Sequence, residues 1–303
     1  GGGEAMTGLG NLIIRNCKLF FKDKGMFFTS LITPLILLVL YATFLAKIYR
    51  DSFVSALPAG FTVDDALINA TVGGQLASSI LAVSCVTVAF CSNLLMVQDK
   101  VSGAINDLTV SPVKRSTLAV GYFCASSAVT MIINFAALGA CLIYLYFTGW
   151  YMSAADVVLT VLDVVLLTLF GISLSSCINF FLTTNGQCSA VGTIVSAGYG
   201  FFCGAYMPIS SFPEGLQRVL SFLPGTYGTS LIRNHCMRGA FAEMANAGFP
   251  EQVIEAIRDS IDCNMYFFGS KVEIVGMYAI LCGATALFVA LYVAFNMFVR
   301  KRS

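Results

Sequence analysis

"GGQLASSILAVSCVTVAFCSNLLMV" (residues 73–97) is a run of 25 residues without a charged side chain. Because an α-helix needs about 20 apolar residues to cross the hydrocarbon layer of a bilayer, this run predicts a transmembrane helix. The whole chain of 303 residues is 57% apolar and only 11% charged, whereas soluble domains average roughly 25% charged. So few charges could not cover so much apolar surface in water. The composition therefore predicts a polytopic membrane protein.

Five further runs on either side of residues 73–97 have the same character. The predicted fold is all-α, with six transmembrane helices at 26–48, 73–97, 117–148, 153–182, 187–207 and 272–299. The third and fourth runs exceed about 20 residues, which predicts tilt, a kink or helix that extends beyond the bilayer. An even number of spans places both termini on the same side.

The distribution of Lys and Arg predicts the orientation, because short cytoplasmic flanks are enriched in these residues. The N-terminal flank, the 98–116 loop and the C-terminus carry ten of them: Arg15, Lys18, Lys22, Lys24, Lys100, Lys114, Arg115, Arg300, Lys301 and Arg302. The opposite short flanks carry only Lys47 and Arg50. Both termini are therefore predicted to be cytoplasmic, with the protein in the cytoplasmic membrane and the long segment 208–271 outside.

The N-terminal region is predicted to lie along the membrane surface before the first span. The opening GGGEA (1–5) is typical of an artificial addition ahead of Met6 and is left out of the fold prediction. Residues 6–25 are predicted to form a cytoplasmic interfacial helix. Its apolar stripe consists of Leu9, Ile13, Cys17, Phe20 and Phe21, and its basic residues Arg15, Lys18 and Lys22 lie off that stripe.

The external segment 208–271 has the punctuation of short helices. Ser211 to Glu214 spells S-x-x-E, which is typical of a capping box. The helix that follows would show one apolar face, made of Leu216, Val219, Leu220 and Leu223, and would end at Pro224-Gly225. A second amphipathic helix is predicted to start at Pro250. Both are too short to cross the bilayer, so they are predicted to lie at its outer interface.

Several kinds of site are not indicated by any motif. The phosphate-loop pattern G-x-x-x-x-G-K-[ST] and the nucleophile pattern G-x-S-x-G do not occur, and His235 lacks the spacing of a metal ligand. No catalytic residue, metal site or nucleic-acid partner is predicted. Eight cysteines lie in or beside apolar runs, as packing residues do. Cys236 and Cys263 fall in a more polar region, and the sequence is compatible both with a disulfide between them and with free thiols.

The loop "QDKVSGAINDLTVSPVKRSTLAVG" (98–121) joins the second and third spans. A short helix is predicted at about residues 100–109, with Val101, Ile105 and Leu108 on one side, and Ser111-Pro112 would end it. The loop is either a solvated connector or a docking helix for a soluble partner, since a short amphipathic helix buries its apolar face only against something.

The order of these features resembles a known family. The interfacial helix, the six spans, the "SPVKR" that ends the 98–116 helix, and "GAYMPISSFP…LPGTY" (204–227) after the fifth span are similar to the membrane (permease) subunit of type-2 ABC exporters. Within that family the chain looks most like the bacterial drug- and antibiotic-resistance permeases.

The resemblance implies partners and a coupling site. Such permeases are dimers, homomeric or heteromeric, embedded in membrane lipid, and each subunit rests on a separate ABC ATPase that holds ATP and Mg. The positions that match the contact region with the ATPase are Gln98, Asp99, Gly103, Asp107 and Leu108. Asp99 fills a place where the family more often has Glu.

The resemblance also implies that spans two and five line the substrate path. The candidate path residues are Gln75, Ser79, Asn93, Thr193, Ser196, Tyr199 and Phe202, although ordinary helix packing explains each of them as well. Residues 204–227 would then form a re-entrant gate over the exit, with corners at Pro208, Pro213 and Pro224.

Asp163 is predicted to lie about ten residues into the fourth span, where a carboxylate costs about 2.5–3.5 kcal/mol on insertion scales. Either the helix starts late and Asp163 lies near the outer headgroups, or it contacts a neighbouring span or the cavity.

The leading functional hypothesis is outward transport of an amphiphilic drug, antibiotic or lipid-like molecule. A polysaccharide-exporting permease, an ATPase-independent secondary transporter or channel, and a receptor or sensor built on the outer segment are the alternatives.

Overall fold

The computed structural model describes residues 2–57, 63–110 and 115–302. The helices are α1 (Gly2–Lys22), α2 (Lys24–Leu40), α3 (Ala46–Ala56), α4 (Asp65–Val101), α5 (Ala104–Val110), α6 (Arg115–Thr148), α7 (Ala154–Phe180), α8 (Asn185–Phe202), α9 (Glu214–Leu220), α10 (Pro224–Asn246), α11 (Glu251–Ser260) and α12 (Ile274–Arg302). A π-helical turn, Tyr41–Leu45, joins α2 to α3, and a 3-10 turn, Ile209–Ser211, precedes α9. The strands β1 (Met265–Phe267) and β2 (Ser270–Val272) form one antiparallel hairpin.

Five helical segments of the described chain are long and apolar enough to cross a membrane. They are Lys24–Ser55, Asp65–Val101, Ser116–Thr148, Ala154–Phe180 and Ile274–Phe298, and they correspond to five of the six predicted spans. The remaining predicted span, 187–207, coincides with α8, which has 18 residues and is not among those five. The protein is therefore a multi-pass helical membrane protein, and the sixth span stays a prediction.

Helix α4 is the centre of the bundle and contains the stretch 73–97. It has 37 residues, which at 1.5 Å per residue makes it about 55 Å long. It begins eight residues before the predicted span, because Asp64 accepts a hydrogen bond from the Ala66 N–H and caps its first turn. Helices α2, α6, α7, α8 and α10 all pack against it. Charged side chains are absent from residues 73–97 because this helix meets protein on almost every side.

The predicted helix α9 ends at Leu220, before Pro224-Gly225, but α10 starts at Pro224 and was not predicted. Pro224 occupies the first turn of a 23-residue helix, where its missing N–H costs nothing. The helix packs against α4, α7 and α12; at Gly228, for example, a Cβ would lie 2.5 Å from Leu167 Cδ1 of α7. Because α10 is buried on several sides, it lacks the single apolar stripe by which a surface helix is recognised.

The capping box predicted at Ser211 is wrong. Helix α9 starts at Glu214 after Pro213, which as a proline has no side-chain oxygen to cap it. The Gln217 side chain instead closes this corner, donating to the carbonyls of Phe212 at 2.7 Å and Ser210 at 3.2 Å. Of the predicted apolar face only Leu220 is buried, and Leu216, Val219 and Leu223 are exposed.

The second external helix begins where the sequence predicts, since α11 follows Pro250 directly. The hairpin after it was not predicted. Its turn residues Phe268 and Gly269 both have positive φ, +48° and +85°, a combination that two-residue hairpins use to match the twist of their strands. Phe268 gives no sign of this in sequence, because turns of this kind usually carry Asn or Gly there.

Helix α1 packs on the bundle through a different face from the predicted one. Leu12, Asn16 and Phe20 are buried, mainly against α6, whereas Phe21 is 40% exposed. Residues four apart share a helix face, so the buried face is turned from the predicted stripe and includes one amide. Its approach to α6 is close, since a Cβ at Gly121 would lie 2.3 Å from Leu12 Cδ2.

Candidate functional site

Asp99 is buried at the end of α4 and is held by two other helices. Arg15 of α1 donates to it through Nη1 at 2.9 Å and Nη2 at 3.3 Å. The hydroxyl of Tyr122, in α6, donates to it at 2.5 Å. The hydrogen bond with Asp99 raises the pKa of Arg15. A buried carboxylate needs such partners because its desolvation is costly, so α1, α4 and α6 are fastened to each other at this point.

The 98–110 region has exposed polar residues on one side and packs two of its apolar residues against α1, α4 and α6. Gly103 has φ +79°, a left-handed conformation that glycine adopts without penalty, and this turns the chain from α4 into α5. Gln98 and Asp107 are exposed. Ile105 and Leu108 pack against Leu12, Met96, Leu118 and Tyr122. Ile105 and Leu108 are therefore partly covered by the protein itself, whereas Val110 is 87% exposed. A partner could contact the exposed polar side. The predicted helix end at Ser111-Pro112 lies outside the described residues.

Helices α7 and α12 also end at this side of the bundle. Lys100 Nζ donates to the Phe180 carbonyl, at the end of α7, at 2.7 Å. The Tyr292 hydroxyl of α12 donates to the Ala119 carbonyl of α6 at 3.2 Å. The N-terminal helix, the α4–α5 turn and the last turns of α7 and α12 therefore lie together, which is the arrangement that an even number of crossings requires.

The candidate path residues on α4 are buried inside the bundle. Asn93 Nδ2 donates to Ser176 Oγ at 3.0 Å and to the Ile172 carbonyl at 3.3 Å, both on α7. Ser79 Oγ accepts from Arg233 Nη2 at 2.9 Å. Gln75 is also buried. Asn93 and Ser79 thus fasten α4 to α7 and α10, as the packing interpretation predicts.

The candidate path residues on α8 lie nearer the surface. Thr193 and Phe202 are exposed, and Ser196 and Tyr199 are half-buried. Ile194 and Phe201 are also exposed, at 66% and 47%. Within the described chain, α8 therefore keeps one apolar face with hydroxyl groups uncovered. Helices α4 and α8 pack against each other, but the α4 set is buried whereas the α8 set is exposed or half-buried.

Arg233 is the centre of a buried polar network that the sequence did not reveal. It lies on α10 and is 1% exposed. Its guanidinium donates to Ser78 Oγ at 3.2 Å, Ser79 Oγ at 2.9 Å, the Gly204 carbonyl at 3.2 Å and the Ile261 carbonyl at 2.7 Å. It therefore fastens the ends of α8 and α11 to the middle of α4. In sequence it reads as one of five basic residues of the external segment, and nothing local marks it as buried.

Asp262 completes this network from the other side. Its carboxylate accepts from the backbone N–H groups of Ile209 at 2.5 Å and Ser210 at 3.3 Å, and Arg233 acts on it electrostatically. The turn after Pro208 is thereby fixed. All three predicted gate prolines stand where a helical segment starts: Pro208 before the 3-10 turn, Pro213 before α9 and Pro224 in the first turn of α10.

Asp163 is buried, with 1% of its surface exposed, and lies nine residues after the start of α7. It accepts hydrogen bonds from His235 of α10, through Nδ1, and from the Tyr278 hydroxyl of α12. Asp163 therefore makes the contact to neighbouring helices that one of its two interpretations predicts, and its depth in the membrane stays a prediction. His235, unpromising as a metal ligand, is a hydrogen-bond partner instead.

Cys236 and Cys263 are both buried free thiols. Burial raises the pKa of the Cys263 thiol to about 12, which suppresses its thiolate form at neutral pH.

Comparison with known proteins gives one family. The family model for the ABC-2 type transporter matches residues 7–235, which run from α1 into α10 and include the Asp99 joint, the 98–110 region and Arg233. No curated protein matches the chain significantly. Since the match covers well over half of the 303 residues and the five long apolar helices agree with it, the chain belongs to the ABC-2 type transporter family, as the membrane component of an ABC transporter.

Proposed function

We propose that this chain is the permease subunit of an ABC exporter that moves an amphiphilic molecule outward across the cytoplasmic membrane. The driving force would come from a separate ATPase subunit, which binds ATP and Mg. The observation that carries the proposal is the joint at Asp99: a buried carboxylate fixes α1, α4 and α6 to each other beside a turn that exposes Gln98 and Asp107. A force on that turn would be passed to several helices at once.

Helix α4 supports transmission of such a force across the membrane. It is continuous from Asp65 to Val101, and a helix of this length without a break moves largely as a rigid rod. One end carries the Asp99 joint, and its middle carries Ser78 and Ser79, to which Arg233 is bonded. Arg233 in turn holds the segments that follow α8 and α11. Movement of the 98–110 region would thus shift the outer segments, in an alternating-access cycle.

A path between α4 and α8 would suit an amphiphile better than an ion. The candidate residues on both helices are amides, hydroxyls and aromatic rings, without a charged side chain. Small-molecule sites are mostly apolar with a few polar groups that orient the ligand. Drugs, antibiotics and lipid-like molecules fit that description.

Helix α8 is proposed as the fifth of six spans and as the face that meets a second permease subunit, of the same or another sequence. Near its start Cys188 packs with Val97 of α4, and beyond its end the Gly204 carbonyl shares Arg233 with Ser79. From Val97 to Ser79 is 18 residues of α4, or about 27 Å, which approaches the roughly 30 Å hydrocarbon core. Its uncovered face would be buried in a dimer.

Co-purification with an ATPase and ATP-dependent transport test the proposal. We expect the chain to capture an ABC ATPase, and replacement of residues 98–110 by a Gly/Ser linker to abolish capture and transport together. The matched control replaces the exposed pair Gln98 and Asp107 by Ala while keeping Asp99, and should weaken capture without unfolding the bundle. Transport that continues in vesicles without any ATPase would contradict the proposal and favour a secondary transporter.

A further inference from the structure

A cavity of about 400 Å³ lies between α3, the outer half of α4, the turn after Pro208 and the end of α11. Its volume is within the roughly 300–1,000 Å³ of small-molecule sites. Phe53, Val72, Ile257 and Ile261 contribute apolar wall, and the exposed residues Ser211 and Ser260 lie at its rim. Helix α8 does not line it, and of the candidate path residues only Gln75 does, so most of the cavity lies outside the proposed path between α4 and α8.

Two polar groups in this cavity have no hydrogen-bond partner among the residues that the structure describes. Gln75 is 7% exposed as a residue, and its side-chain amide makes no hydrogen bond within the described protein. The hydroxyl of Tyr49, on the facing helix α3, is likewise unbonded. Both residues line the cavity. Neither group is fully buried, because Tyr49 is half-buried and the Gln75 amide is not among the fully buried unpartnered atoms. Both can therefore bind a ligand, and each hydrogen bond would stabilise the bound ligand by about 0.5–1.5 kcal/mol.

The walls of the cavity are fixed before any ligand arrives. Arg233 Nη1 donates to the carbonyl of Ile261 at 2.7 Å, and Asp262 holds the N–H of Ile209, next to Pro208, at 2.5 Å. Preformed walls lower the entropic cost of binding. The described lining carries no charged side chain, so a charged ligand would lose its hydration without gaining an ion pair.

We propose that this cavity binds a neutral amphiphile, whose hydroxyl or carbonyl head group hydrogen-bonds Gln75 and Tyr49 and whose apolar part lies against Phe53, Val72 and Ile257. The site joins α3 and α4 to the outer segments, so its occupant stabilises their contact. A neutral membrane lipid and an exported amphiphile share this chemistry.

Photolabelling of the purified full-length protein in lipid nanodiscs tests the site without requiring any ATPase. The probe is a twelve-carbon alcohol with a diazirine in its chain, and the comparison probe is the corresponding primary amine, which is charged at neutral pH. We expect saturable labelling by the alcohol on peptides that contain residues 49–53, 71–75 and 257–261, suppressed by excess dodecanol and weaker with the amine. Labelling that is not saturable, lies elsewhere or is equal for the two probes overturns the proposal.

Variants test whether Gln75 and Tyr49 bind the head group of the ligand. Gln75→Leu together with Tyr49→Phe keeps side-chain bulk and should reduce the affinity for the alcohol about tenfold, as expected for loss of one to two hydrogen bonds. Gln252→Leu makes the same chemical change at an exposed position of α11 and should leave labelling unchanged. Equal labelling of the double variant and the wild type would refute the head-group assignment; because the wild-type competition does not depend on any variant folding, the proposal stays testable.

A second experiment, on the complex with the ATPase, distinguishes a resident lipid from a transported molecule as the ligand. Labelling that ATP leaves unchanged and that monoolein suppresses assigns a resident lipid, and labelling that falls during ATP turnover assigns the transported molecule. Both results support the site. Absence of an ATPase partner would contradict the exporter function and leave the binding result intact.

Discussion

Arg233 Nη2 lies 2.9 Å from Ser79 Oγ, across 154 residues of sequence, and joins α10 to the middle of α4. The same guanidinium reaches the carbonyls of Gly204 and Ile261. A charge buried in this way is tolerable because each of the three guanidinium nitrogens has an acceptor. The contact makes the external segments part of the bundle, although their sequence is that of short surface helices.

Replacement of Arg233 by Met should destabilise the protein strongly. It leaves the Gly204 and Ile261 carbonyls without their shared donor and the Asp262 carboxylate without the nearby positive charge, and removal of one buried charge of such a network costs about 3–5 kcal/mol. Thermal unfolding in detergent measures the change. Arg218→Met is the matched control: its side chain is 56% exposed and pairs with Glu214, so an effect below about 1 kcal/mol is expected. Equal effects of the two variants would contradict the role of Arg233.

Asp163→Asn should lower stability, because His235 and Tyr278 share that carboxylate and an amide oxygen replaces it poorly. Loss of a charge-assisted hydrogen bond costs about 1.5–3 kcal/mol, to be read from thermal unfolding. Asp107→Asn, at an exposed position, should leave unfolding unchanged. A variant that unfolds like the wild type but no longer transports would show that Asp163 acts on substrate and does not simply hold the helices together.

Gly239→Ala and Gly139→Ala should have opposite effects. A Cβ at Gly239 would lie 1.8 Å from the Tyr151 carbonyl oxygen, so α10 would have to move away from the segment between α6 and α7, at a cost of about 1–3 kcal/mol or more. A Cβ at Gly139 meets nothing within 4 Å, and Ala there should add about 0.8–1 kcal/mol through helix propensity. The two unfolding midpoints are compared with that of the wild type. A Gly239→Ala variant as stable as the wild type would refute the close approach at Gly239.

Glu255 should make the α11–hairpin contact sensitive to acid. Its carboxylate accepts from Asn264 Nδ2 at 2.9 Å and Lys271 Nζ at 3.3 Å, and these hydrogen bonds hold the pKa of Glu255 below its ordinary value of 4.5. Since the folded pKa is the lower one, the stabilisation is fully present above pH 4.5 and is lost as the pH falls through the folded pKa. The pH dependence of thermal unfolding should therefore be shallower below pH 4.5 in Glu255→Gln than in the wild type. Identical profiles would contradict this assignment.

The sequence predicted most of what depends on local composition. Five of the six expected spans correspond to long apolar helices, and α11 begins after Pro250 as its apolar pattern predicts. The family followed from motif order and was confirmed, whereas the drug-resistance subtype, the substrate and the dimer stay proposals. The positions of the candidate path residues did not follow from sequence, because a hydroxyl or amide on a membrane helix has the same sequence signature whether it packs or lines a path.

Hydrocarbon thickness and helix geometry act along the chain, so the sequence by itself determined that this protein is a bundle of membrane helices with a helical joint between the second and third spans. The hydrogen-bond partner of a buried side chain, in contrast, depends on which residues folding brings close in space. Only the tertiary structure decided that Pro224 opens a buried helix, that Arg233 meets Ser79, and that Asp163 meets His235 and Tyr278, which lie 72 and 115 residues away. Each of these polar groups is acceptable in the interior only because folding supplies its partner, and no local pattern identifies that partner in advance.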